Sequence, residues 1–155
     1  MAFRILGLDP APFRPLYGLS DAALAERGVQ RMVANAPRSF PDRIELRDLE
    51  IGETALLLSH EHQPAANAFR SRHAIFVREG AEAAIELTGV VPEVMHRRML
   101  SLRAFDEADF MVDADLAEGD AIAPLIDRLL ADGRVAYLHA HYARRGCYAA
   151  RVERA

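Results

Sequence analysis

Hydrophobic positions follow a helical period in one long stretch of the chain and a strand-like pattern almost everywhere else. Ile122, Leu125, Ile126, Leu129 and Leu130 fall at i, i+3, i+4, i+7 and i+8, a single apolar stripe that predicts an amphipathic helix over about 120–131. Pro124 is tolerated only near its first turn, Asp120 suits its N-cap and Gly133 its end. Two shorter helices are predicted. One is capped by Ser20 and runs to Arg27 before Gly28, with Leu19 and Leu24 spaced as a hydrophobic staple. The other starts at Pro92 and ends near Arg98. Strands are predicted in FRILGLD (3–9), VQRMVA (29–34), ETALLLSHEH (53–62), AIFVRE (74–79), LSLRAFD (100–106), FMVDAD (110–115), RVAYLHAHYA (134–143) and CYAARVE (147–153). The Leu56-Leu57-Leu58 run implies burial on both faces of its strand. Many strands, few helices and short connections predict an α+β fold, a mainly antiparallel sheet with two or three short helices in a single domain over 1–155.

The last two strands read as a hairpin. A three-residue loop closed by a left-handed residue favours glycine last, as in Arg144-Arg145-Gly146. That register pairs Ala143 with Cys147, Tyr142 with Tyr148, His141 with Ala149, Ala140 with Ala150 and His139 with Arg151. One face then collects Leu138, Ala140, Tyr142, Tyr148, Ala150 and Val152, and the other Tyr137, His139, His141, Cys147 and Arg151. Cys147 would lie diagonal to His141, where a base and nearby positive charge favour a thiolate. Cys147 and His141 are therefore candidate catalytic residues. The bland alternative is a cysteine acting as an inert small apolar residue.

Composition narrows the function. The chain has 155 residues, 51% hydrophobic and 27% charged, with a net charge of −4. No apolar run approaches the ~20 residues of a membrane span, and Asp9 and Pro10 break the N-terminal apolar stretch too early for a signal peptide. One cysteine allows no internal disulfide, which fits a reducing cytoplasm. All nineteen basic residues are arginine, a pattern better explained by coding bias than by nucleic-acid binding, since the net charge is negative. Charge is nonetheless segregated. Residues 105–132 carry nine acids and one arginine, a net of −8, and 134–155 carry five arginines and Glu153, a net of +4. The two segments could pair or leave a positive face open to an anion.

A second polar cluster lies in SHEHQPAANAFRSRHAIFVRE. Strand alternation puts His60 and His62 on one face and Glu61 on the other, and Arg72 and His73 precede the next strand. Two His-x-His pairs allow a zinc reading, because i and i+2 side chains stand ~6.6 Å apart on one face of a strand. The pattern matches no named zinc motif, and no metal or cofactor is assigned from it. The same residues also make an anion pocket, with His62, Arg72, His73, His139 and Arg151 as candidate ligand-binding residues for a small anionic metabolite. Asp113, Asp115, Glu118 and Asp120 lack the spacing of a calcium loop. No phosphate loop, dinucleotide fingerprint or nucleophile elbow is present. The competing class is a non-enzymatic interaction or structural domain, a homodimer being one form of it, whose His and Arg residues satisfy internal hydrogen bonds.

The stretches ETALLLSHEHQPAANAFRSRHAIFVREGA, SLRAFD and HAHYARRGCYAARVERA resemble the bacterial family known as domain of unknown function 1203, over nearly the whole chain. The resemblance implies no activity. It does imply that Glu61, His62, Gln63, Arg72, His73, Gly146 and Cys147 belong to the family pattern. In that pattern a tyrosine is usual where this chain has Phe69, and histidine is not constant at position 60.

Overall fold

The computed structural model describes residues 2–155. Nine strands are found among them: β1 (Phe3–Leu6), β2 (Gln30–Val33), β3 (Thr54–Gln63), β4 (Ser71–Arg78), β5 (Glu86–Thr88), β6 (Leu100–Phe105), β7 (Met111–Ala117), β8 (Tyr137–Tyr142) and β9 (Cys147–Arg154). The helices are α1 (Asp21–Glu26), α2 (Glu93–His96) and α3 (Ile122–Ala131), with short 3-10 turns at Arg14–Leu16 and Gly119–Ala121. The strands form a six-stranded sheet, β5-β1-β9-β8-β6-β7, and a three-stranded sheet, β2-β3-β4. Every pairing between strands is antiparallel. The α+β class with a mainly antiparallel sheet and three short helices is as the periodicity predicts. Strand β5 went unpredicted, being three residues with one half-buried side chain, too short for a period to show.

Local chemistry accounts for the helix ends in part. The Ser20 hydroxyl accepts from the Ala23 N–H at 3.1 Å, as its capping role requires. Asp120 does not cap α3. It lies in the 3-10 turn before that helix and meets His96 Nε2 at 3.0 Å. Ile122, Ile126, Leu129 and Leu130 are buried on α3 and pack with Leu100, Leu102, Leu138, Ala140, Ala150 and Val152 on one face of the large sheet. In β3, Leu56 and Leu58 are buried and Leu57 only half so. The run is thus buried on the face of Leu56 and Leu58, while the other face is covered at Ala55, beside Leu49, Phe40 and Phe76, and only half-covered at Leu57.

The acidic segment pairs in part with its own arginine and in part with residues outside it. Arg128 on α3 binds both Asp113 and Asp115 of β7, and Arg134 binds Asp132. These pairs are exposed and contribute little to stability.

The closing hairpin departs from its expected register, and the departure decides the site. Ala140 pairs with Ala150 and His139 with Arg151 as expected, but His141 pairs with Tyr148 and Tyr142 with Cys147. Ala149 is the extra residue of a β-bulge, which reverses the facing of the residues before it. The loop is therefore four residues, Ala143 to Gly146. Gly146 adopts φ +77° and donates its N–H to the Tyr142 carbonyl at 2.8 Å. A regular four-residue hairpin would mix polar and apolar side chains on both faces; the bulge removes that penalty by putting Ala149 into the core and Tyr148 on the other face.

Candidate functional site: a three-histidine cluster between the sheets

The far face of the large sheet, opposite α3, carries Ser101, Arg103 and Phe105 of β6, Tyr137, His139 and His141 of β8, and Tyr148 and Arg151 of β9. Register fixes these neighbours: Arg103 stands opposite His139, Ser101 opposite His141, and His139 opposite Arg151. The small sheet brings His62 onto this face. Its ring centroid lies 4.9 Å from His141 and 5.9 Å from His139, and it stacks on Tyr148 at 5.2 Å with an interplanar angle of 10°. Tyr148 also meets His139 and His141 edge-on, at 5.2 and 5.8 Å. The two histidine stretches therefore meet in space, around a tyrosine that the bulge delivers.

Polar contacts hold the sheets together beside the cluster. Gln63 Nε2 donates to the Tyr137 hydroxyl at 2.8 Å, and that hydroxyl donates to Asp109 Oδ1 at 2.5 Å. Asn67 Nδ2 donates to the carbonyls of Ala108 and Asp109, both at 3.1 Å, tying the β3–β4 loop to the β6–β7 turn. Burial, with the Asp109 hydrogen bond next, pushes the Tyr137 phenol up to about 12. Phe69 packs against Phe105 and Phe110, so this position serves as apolar contact.

His62, His139 and His141 are all buried, His139 to 3% and His141 to 1% exposure. Burial is the main cause that lowers each imidazole pKa, to about 4 for His62, about 2 for His139 and about 3 for His141. Neighbouring imidazoles push the same way with Arg103: His60 and His73 for His62, His141 and His62 for His139, and His62 and His73 for His141. The Gly146 hydrogen bond opposes the shift at His141. The rings are neutral at pH 7, so each has one N–H and one lone pair. His141 Nδ1 lies 2.9 Å from the Gly146 carbonyl. A carbonyl only accepts, so this nitrogen carries the proton and Nε2 presents its lone pair. His141 Nε2, His139 Nδ1 and both nitrogens of His62 are buried without a hydrogen-bond partner. One nitrogen from each ring lies within 4.8 Å of the others.

The remaining residues singled out from the sequence are placed elsewhere. Cys147, opposite Tyr142, is on the α3 side of the sheet, and its Sγ accepts from Arg43 Nη2 at 3.2 Å. The expected diagonal between Cys147 and His141 is not formed, because the bulge turns the thiol to the opposite face. Arg43 is itself buried, donates to the Tyr148 carbonyl at 2.8 Å and to the Pro41 carbonyl at 2.5 Å, and lies 4.9 Å over the Tyr142 ring. Arg72 is exposed and donates to the Ser59 hydroxyl. His73 is exposed, opposite His60 and within 3.9 Å of the position a Gly146 Cβ would take. Arg151 is occupied, with Glu153 at 2.5 Å and the Tyr137 ring at 3.7 Å. Of the residues proposed from sequence, the structure thus gathers His62, His139 and His141, and leaves Cys147 out.

Arg103 and Tyr148 were missed. Alternation in LSLRAFD, with Leu100, Leu102 and Ala104 to the core, puts Arg103 on the polar face and was signal enough to find it. Nothing local marks Ala149 as a bulge, so Tyr148 was assigned to the core.

A family model described as protein of unknown function (DUF1203) matches residues 39–154. The chain belongs to the DUF1203 family. The match spans both His-x-His pairs, the β3–β4 loop and the bulged hairpin, so the three-histidine cluster lies wholly within the DUF1203 region. No curated protein and no solved structure matches the chain. Among the described residues no helix is long and apolar enough to cross a membrane.

Proposed function

We propose that this protein binds a divalent transition metal, of the zinc class, through His62, His139 and His141. The observation that carries the reading is the set of four buried ring nitrogens with no hydrogen-bond partner, distributed over three rings that approach one another. Each buried unsatisfied polar group costs roughly 1–3 kcal/mol. A bound cation would remove that cost at up to three of them together, and neutral imidazole is the ligand form that zinc and its neighbours take. In a tetrahedral zinc site with bonds of ~2.0–2.1 Å the nitrogens stand ~3.3 Å apart. The present spacing would close by about an ångström and a half at most, within the reach of small side-chain rotations. The Gly146 carbonyl supports the fit by fixing the His141 tautomer, as outer hydrogen bonds do for metal-ligating histidines.

Three histidines leave a fourth position for water or another ligand, the pattern of sites that do chemistry more than of closed structural ones. The single thiol faces the opposite side of the sheet, so these ligands are all imidazole. With one cysteine and no internal disulfide, we place the protein in the cytoplasm.

The test is calorimetric titration of chelator-stripped protein with zinc, paired with melting curves. We expect about one ion per chain. At a hundredfold excess over the dissociation constant, the ion should add ~2.7 kcal/mol of stability, which for a domain of this size raises Tm by about 5–11 °C. Replacing His139 or His141 by alanine should remove the uptake. Uptake at unchanged affinity in both variants, or none in the wild type, would refute the assignment.

A further inference from the structure

Arg103 is the arginine of the cluster face that no acid neutralises. It is half-buried, and its one hydrogen bond to another side chain goes to the Ser101 hydroxyl, at 3.3 Å. Its neighbours on the face are the neutral imidazole of His139 directly across the strand pair, and Ser101 and Phe105 along its own strand. Asp113 and Asp115 of β7 pair with Ala104 and Leu102, so they share the opposite face, where they bind Arg128. Arg151, the other cation of this face, is held by Glu153. Other buried or part-buried arginines have either a carboxylate or several carbonyl partners, as Arg154 does at Leu130, Val135 and Asp132. Arg31 binds Glu79, Arg78 binds Glu45, and Arg98 binds Asp48. Burial alone is what lowers the pKa of Arg103, with no carboxylate nearby to offset it.

A half-buried guanidinium without a counter-ion is unfavourable, because desolvation weakens its hydration and the single hydrogen bond to Ser101 replaces only part of it. Here it also stands beside three neutral imidazoles, and a cation held on them would add its positive charge to that of Arg103 with no acid of the face left to balance either. We propose that a small carboxylate supplies that anion, one oxygen taking the open position of the metal held by His62, His139 and His141, and Arg103 gripping the other. The ligand is thus a low-molecular-weight carboxylic acid, and Arg103 sets its orientation. A carboxylate fits better than a phosphate: its two oxygens match one open metal position and one guanidinium, whereas a phosphate's third charged oxygen would find no free arginine, since Arg151 is already committed to Glu153. The guanidinium also presents N–H donors in a fixed planar fork, which orients the one oxygen left to it. The expected anion pocket of Arg72 and Arg151 is replaced in this proposal by Arg103. The inference rests on the three-histidine metal reading.

The experiment uses the full chain loaded with Co²⁺ in place of zinc, whose visible absorption reports the metal's ligands. Acetate is the first probe and inorganic phosphate the second, at constant ionic strength, on wild type, Arg103→Gln and Arg103→Lys. We expect the cobalt spectrum without anion to be the same in all three. Acetate should shift it in the wild type, with affinity at least tenfold weaker in Arg103→Gln and intermediate in Arg103→Lys, which keeps the charge but loses the planar fork. Melting curves of each loaded protein confirm folding, and the lysine variant keeps the comparison valid if glutamine unfolds the chain. Equal acetate affinity in all three, or no response to acetate in the wild type, overturns the carboxylate assignment while leaving the metal site standing. A response to phosphate alone also overturns it. Absence of any cobalt spectrum sinks the metal reading itself, and this inference with it.

Discussion

Lowering the pH should destabilise the metal-free protein steeply, well before its carboxylates titrate. The histidines of the cluster are held at about 4, 2 and 3 when folded, against ~6.5 in an unfolded chain. The unfolded state therefore binds more protons, and stability rises with pH. The contribution is complete above the unfolded value of ~6.5 and is lost as pH falls from there toward the folded values. At pH 5.5 an unfolded histidine is ~90% protonated while these three remain neutral. Each then costs about 1.3 kcal/mol relative to pH 7.5, and His62, the least enclosed, somewhat less. The sum is ~3–4 kcal/mol, a large part of the 5–15 kcal/mol that holds a domain folded. His60, also lowered by burial, acts in the same direction. Buried Asp42, whose pKa is raised by burial, acts in the opposite direction. Glu53 and Asp132, held at about 2, act mainly below pH 4.5. Urea unfolding followed by circular dichroism, with chelator present, at pH 7.5, 6.5 and 5.5 would measure this. With a slope of ~2 kcal/mol per molar urea, the midpoint should fall by about 1.5–2 M across the range. A midpoint constant between pH 7.5 and 5.5 would show that the histidines titrate normally when folded, and the buried cluster would be wrong.

Two further changes probe the frame around the site. In Gly7→Ala the new Cβ would stand 2.0 Å from the Ile44 carbonyl oxygen and 2.9 Å from its carbon, both backbone atoms; a loss of about 3 kcal/mol or more is expected, read as a Tm drop of roughly 6–12 °C, and a drop under 2 °C would contradict the close approach of β1 to the Ile44 segment. Cys147→Ala should leave zinc affinity unchanged while removing the acceptor of Arg43 Nη2, at about 1 kcal/mol by chemical unfolding; zinc affinity falling tenfold would place the thiol at the metal after all.

Sequence alone determined what a residue's near neighbours determine. The 3.6-residue stripe of α3, the Ser20 cap of α1 and the two-residue alternation of β6 and β8 are local patterns, since the chain's own geometry sets the period and water sets the preference. The same alternation named His62, His139 and His141 as residues sharing polar faces. Only the tertiary structure decided that those faces meet. His62 comes from the three-stranded sheet, nearly eighty residues before its partners, and sheet-on-sheet packing has no signature within either strand. The exchange of Cys147 for Tyr148 likewise depended on Ala149. A bulge inserts one residue and reverses every facing before it, and an alanine there looks like any other alanine until the core that accepts it has formed. Arg103 was legible by alternation, but its lack of a partner was not. That is a property of the whole face, in which Glu153 is drawn to Arg151, Asp109 to the Tyr137 hydroxyl, and Asp113 and Asp115 are turned to the other side of the sheet.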